Sequence, residues 1–215
     1  MMLGARTAAW AKSGSPTPSA YGGLRFTAES ANSSVQLTAV GSAPAVILVK
    51  SFDGVNWSDY TVGEVIELPS VGDFVYLAAG EGGNETFGSS TSNYHKFVIN
   101  GLVSASGDIT SLRNFDLAQT TLAQYCYYRM FDGCTGLTSA PELPATMLAQ
   151  YCYRSMFNGC THLSLIKVHF TAWGTQTNNW VNNVLPTGTF YKPSALPEEF
   201  STSKIPTGWT VVNID

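Results

Sequence analysis

The chain has 215 residues, and 44% of them are hydrophobic, which supports a packed core of one large or two small domains and excludes global disorder. Only 12% are Asp, Glu, Lys or Arg, about half the usual share. The net charge of −4 leaves no basic footprint, so nucleic acid is not an expected partner. No run approaches the roughly 18 apolar residues of a spanning helix, and no membrane span is expected.

Residues 1–22 are rich in Ala, Ser, Gly and Pro and end in Ser13-Gly14-Ser15-Pro16-Thr17-Pro18, the composition of a linker or arm. Two readings stay open: a disordered tail, or an anchoring arm with Trp10 as its apolar plug. Arg6 splits the apolar start, so it does not read as a secretory signal.

Residues 23–103 read as an antiparallel β-sandwich. Leu24–Ala28, Val35–Val40, Ala45–Val49, Glu64–Leu68, Asp73–Leu77 and His95–Ile99 are β-branched or aromatic, with period-two alternation, and turn residues separate them. Asp53-Gly54 between extended segments predicts a hairpin. Its frame, Ser51-Phe52-Asp53-Gly54-Val55-Asn56-Trp57, resembles the Asp-box hairpin of sialidases but is one residue shorter. That resemblance implies a structural turn and no catalysis. Residues 81–93, nearly all Gly, Ser, Thr and Asn, predict a mobile, solvated loop.

Residues 104–215 carry an internal repeat. Leu122, Cys126, Phe131 and Cys134 recur 26 positions later as Leu148, Cys152, Phe157 and Cys160, a period suited to a leucine-rich-type solenoid. Leu122, Cys126 and Met130, four apart, fall on one helical stripe. Thr120 and Thr146 are the aligned N-cap candidates, Thr121 with Gln124 forms a capping box in the first copy, and Gly133 and Gly159 are C-terminal stops. Each unit is therefore expected to be a helix plus a short strand. After Phe170 the repeat decays into a C-terminal cap, with a last helix over 177–184 and last strands over 188–192 and 209–212.

The four cysteines follow the repeat, which suits small buried fillers; a Cys126–Cys152 or Cys134–Cys160 bond between stacked turns is the alternative. The C-x7-C spacing does not match zinc ligands, so no metal site and no cofactor are expected.

Met130-Phe131-Asp132-Gly133-Cys134-Thr135-Gly136-Leu137 and Met156-Phe157-Asn158-Gly159-Cys160-Thr161-His162-Leu163 resemble the A-F-x-G-C-x-x-L core of BspA-like leucine-rich repeats. Met stands where that family usually has Ala, and the unit is slightly longer. The whole chain resembles proteins of gut bacteria and of their tailed phages, and the start Met2–Ala11 is similar to the leader of phage or prophage fibre proteins. The resemblance implies an N-terminal sandwich followed by a short α/β solenoid, in a virion protein. Such a protein is commonly a trimer, bound to other virion proteins through its arm.

Chemistry is sparse. His95, His162 and His169 have no nucleophile and acid at a family spacing, and no P-loop, Rossmann glycine pattern or HExxH is present, so an enzyme is not expected. Tyr125, Tyr127 and Tyr128 recur as Tyr151 and Tyr153. Residues two apart on a helix cannot share a face, so at most one tyrosine column is core. Tyr127, Tyr128 and Tyr153 are the candidate binding column, able to stack on sugar rings or fill a protein interface. The function expected is a non-enzymatic phage or prophage structural or attachment protein on the particle surface, recognising a host surface protein or polysaccharide. The alternatives are a bacterial cell-surface adhesin and, more weakly, an accessory module of a carbohydrate-active enzyme.

Overall fold

The computed structural model describes residues 23–114 and 121–215, and among them the fold is β-rich, with strands in three sheets and no α-helix. Its helical elements are two short 3-10 turns, at Ile109–Leu112 and Thr175–Thr177. Trp10 and Thr120 lie outside the described residues.

The alternating segments become β1 (Leu24–Ala28), β2 (Ser33–Val40), β3 (Leu48–Ser51), β4 (Ser58–Tyr60), β5 (Val65–Leu68), β6 (Phe74–Ala79), β7 (Tyr94–Asn100) and β8 (Val103–Ser106). Antiparallel pairing of β5-β2-β7 faces the order β4-β3-β6-β1-β8. Period two delivers the inner face: Leu24, Phe26 and Ala28 of β1 are buried while Arg25 and Thr27 are not. Phe26 meets Phe97 of the other sheet edge to face at 4.9 Å.

Two local expectations change. The strand expected from Ala45 begins only at Leu48, because Asn84 takes the Ile47 N–H: its Oδ1 accepts it at 2.7 Å, while its Nδ2 shares the Ile47 carbonyl with the Gly80 N–H. The same asparagine shows that the loop over 81–93 is pinned. Phe87, its single apolar residue, is buried and its N–H donates to the Cys126 carbonyl.

β8 straddles the two halves, bonding antiparallel to β1 and parallel to β9 (Leu137–Ser139). Beyond Pro141, β10 (Glu142–Leu143), β11 (Leu165–Val168), β12 (Thr189–Lys192) and β13 (Thr210–Asn213) continue in parallel. The Ser164 N–H to the Thr138 carbonyl, and Ala140 N–H to Leu165, carry the ladder past the proline, which has no donor of its own.

The segments expected to be helices are ribbons of successive turns. In the first, the N–H groups of Cys126, Tyr128, Met130, Asp132 and Cys134 donate three residues back. Those of Tyr125, Tyr127, Arg129, Phe131 and Gly133 donate outward, to the carbonyls of Gln150, Cys152, Arg154, Met156 and Asn158 in the next ribbon at 2.8–3.1 Å. Tyr153, Ser155, Phe157 and Gly159 repeat this toward Gln176, Asn178, Trp180 and Asn182. A left-handed residue recurs at every fourth position: Tyr125, Arg129 and Gly133, then Tyr151, Ser155 and Gly159, then Asn179 and Asn183. An α-helix sends each N–H four residues back and has none to spare for a neighbour. Here half the donors join layers instead, so the α part of the expected α/β solenoid is corrected.

One hydrophobic core runs through both halves. Phe97 of β7, Phe131 and Phe157 stack at 5.1 and 5.6 Å with planes 20° and 18° apart. Phe87, Tyr127 and Tyr153 form a second ladder at 6.0 and 6.1 Å. Trp180 ends both, 6.5 Å from Tyr153 and 6.1 Å from Phe157. At the far end Lys192 is buried, its Nζ donating to the Leu196 carbonyl at 2.7 Å, and Trp209 Nε1 donates to the Leu185 carbonyl.

Candidate functional site

The tyrosine column singled out in the sequence is the core column. Tyr127 and Tyr153 are 0% exposed and Tyr128 is 4% exposed, so none of the three offers a ring to a ligand, and their assignment as a binding set is corrected. The Tyr127 hydroxyl donates to the Ile109 carbonyl at 3.3 Å, while the buried Tyr153 hydroxyl has no partner among the described residues. Tyr128 packs edge-on against Tyr94 at 5.1 Å. The outward column is Tyr125 and Tyr151, half-buried and 5.1 Å apart. Tyr127 and Tyr153 are turned inward, and residues two apart need not face opposite ways in the ribbon, since Cys126, Tyr128 and Met130 are all buried.

The other reactive groups are used structurally. All four cysteines are buried thiols, and the bonded alternative is not what forms. The Cys134 and Cys160 thiols donate to the Phe97 and Phe131 carbonyls at 3.1 Å, one layer back in each case. Burial pushes Cys126 up to about 11 and Cys134 up to about 12, far from a reactive thiolate. His95 is buried with Nδ1 3.1 Å from the Phe87 carbonyl, and desolvation holds it below the usual imidazole range. His162 Nδ1 lies 2.6 Å from the Thr135 carbonyl, and His169 joins Lys167 around Glu142, at 2.6 and 2.8 Å. Burial raises the Glu142 carboxyl, but the two bases outweigh it and hold the group below its usual value. Asp53 accepts the Val55 and Asn56 N–H groups and the Ser51 hydroxyl, which clamps the turn. Among the described residues no group of three or more His, Cys, Asp or Glu is placed to hold a metal, and no helix is long and apolar enough to cross a membrane.

A groove of about 550 Å³ opens between the last two layers, where the repeat has decayed. Trp173 forms its wall. The indole Nε1 donates to the Pro197 carbonyl at 2.8 Å, which fixes one edge. Behind it stand Phe170 at 5.4 Å and Trp180 and Phe190, each at 6.2 Å. Thr171, Thr175, Asn178 and Ser203 line the rest, with the ion-paired Glu199 and Lys204 at the rim.

No protein-family model, curated protein or solved structure matches the chain.

The groove therefore stands on its geometry alone. It offers one aromatic wall bordered by hydroxyl and amide groups. Trp173 escaped the sequence reading because it follows the last recognisable repeat. Its one signal is that this neutral, non-repeating stretch carries an aromatic residue, Trp173, next to Gly174.

Proposed function

We propose that the protein is a non-enzymatic attachment or fibre protein of a phage or prophage particle, exposed at the particle surface. In this reading residues 1–22 bind other virion proteins and the far layers meet a host surface protein or polysaccharide. The C-terminal half is then a short leucine-rich-repeat-like solenoid in which a turn ribbon takes the place of the helix, and the working unit is a trimer.

The observation that carries the reading is the order of the layers. Gly23 precedes β1 and is bridged to Asp108; β1 pairs with β8 and β8 with β9, and a second sheet, β10-β11-β12-β13, continues the parallel stacking. The Trp173 groove lies beyond β9 in this stacking, on the side of Gly23 away from β6, β3 and β4, which suits a protein held near the sandwich and read at the repeat layers. Stacked layers joined by backbone ladders and a common core make a stiff spacer. The low charge content suits a fibre surface as well.

Immunogold labelling with antibody against residues 23–215 tests the proposal. Label on particles purified from an induced culture is expected. Label confined to the bacterial envelope would replace it with the adhesin reading. Light scattering of the full chain should give a trimer on the first reading and a monomer on the second.

A further inference from the structure

The Trp173 groove has no assigned ligand, and its construction specifies one. Trp173 cannot act as a hydrogen-bond donor to a ligand, because Nε1–H is committed to the Pro197 carbonyl. It acts as an apolar plate, held from behind by Phe170, Trp180 and Phe190 and therefore ordered before anything binds. The groove around it is polar but almost uncharged. Thr171, Thr175, Asn178 and Ser203 supply short hydroxyl and amide groups, and the only charges, Glu199 and Lys204, neutralise each other.

We infer that this groove binds a neutral saccharide, one sugar ring lying against the Trp173 indole. A pyranose has a face of C–H groups and a rim of hydroxyls. The indole matches the face and the threonines, Asn178 and Ser203 match the rim. The groove is open to solvent, so the sugar would be held by one face and along its rim and not enclosed. A peptide anchors through apolar side chains in desolvated pockets, and here Trp173 is the one large apolar wall. An acidic sugar finds no uncommitted cation in the lining, since Lys204, its one basic residue, is paired with Glu199. The inference rests on the attachment reading only for the source of the sugar, a host surface polysaccharide; the groove itself does not require it.

The test uses the full chain and neutral hexasaccharides: cellohexaose, laminarihexaose, mannohexaose and maltohexaose, with sialyllactose as the acidic comparator. Calorimetry and saturation-transfer NMR should show binding of at least one neutral probe and transfer to its ring protons. Trp173→Ala should weaken that binding by about tenfold or more. Because this variant also removes a packed ring, Ala172→Tyr, which fills the groove from an exposed position, should abolish binding with the melting temperature unchanged. The inference is overturned if no neutral probe binds at about 10 mM, if sialyllactose alone binds, or if Ala172→Tyr leaves binding intact. Host cells separate this from the attachment reading. Chain that binds cells after periodate oxidation, but not after protease treatment, would overturn the saccharide and leave attachment standing. Probe binding without any binding to host cells would do the reverse.

Discussion

The ring of Phe97, on a sandwich strand, lies nearly parallel to the ring of Phe131, in the first turn ribbon, 5.1 Å away. The Phe97 N–H also donates to the Met130 carbonyl at 2.7 Å, and the Cys134 thiol returns a hydrogen bond to the Phe97 carbonyl. The sandwich strand thus serves as the layer beneath the first repeat. An array of two clear repeats is too short to bury its own ends, and this contact explains why it is ordered.

If the halves share one core, a cavity in the shared layer should be felt by both. Phe131→Ala should cost about 3–5 kcal/mol. Urea unfolding followed by tryptophan fluorescence and by far-UV circular dichroism should give coincident curves, before and after substitution. Two separated transitions would show that the halves fold independently.

The two buried tyrosines, one layer apart, should answer differently to losing their hydroxyls. Tyr127 donates to the Ile109 carbonyl, so Tyr127→Phe should cost about 0.5–1.5 kcal/mol. The Tyr153 hydroxyl is buried without a partner among the described residues, so Tyr153→Phe should be neutral or stabilising. Paired thermal melts check the contrast. Equal losses would mean that the Tyr153 hydroxyl is satisfied.

The thiols predict an alkaline limit. Burial raises all four above the ordinary value of 9.0, Cys126 to about 11 and Cys134 to about 12. Between these values the unfolded chain has released thiol protons that the folded chain still holds. The stability they contribute is thus complete below pH 9 and is lost as pH rises through the folded values. The urea midpoint should be level up to about pH 8.5 and fall above it. At pH 8 a disulfide reagent should label native protein no faster than it unfolds, then label all four cysteines in denaturant. Fast native labelling would contradict their burial.

Much of this architecture is legible in the residues, and the failures are physically specific. β1, β2, β6 and β7 follow from alternation, because a half-buried strand writes its two faces at period two. Phe87 was hidden because composition describes a loop's average, whereas one aromatic residue decides where the loop is pinned. Trp173 lies where the repeat gives no register. The helices were misread for a subtler reason: a turn ribbon with a four-residue period places Leu122, Cys126 and Met130 on one side, and so does a helix over two turns.

One substitution separates the two readings of that spacing by sign. Ser155 sits in the left-handed region at φ 55°, half-way along the second ribbon, and its N–H donates to the Asn178 carbonyl of the next layer. An L-residue there carries about 1–2 kcal/mol of steric cost, whereas glycine carries none and loses roughly 0.5–1 kcal/mol through its greater freedom when unfolded. Ser155→Gly should therefore stabilise the protein by up to about 1 kcal/mol. In a helix the same change would destabilise it by several tenths of a kcal/mol, about the gap between the two propensities. Gly133, at φ 78° one turn further along in the first ribbon, gives a companion experiment. Gly133→Ala should cost about 1–2 kcal/mol, because a Cβ is forced into the left-handed region; a glycine stop at a helix end is left-handed too, so this variant checks the turn and Ser155→Gly separates the readings. Thermal melts decide the matter: a gain for Ser155→Gly with a loss for Gly133→Ala supports the ribbon, and a loss for Ser155→Gly would restore the helix.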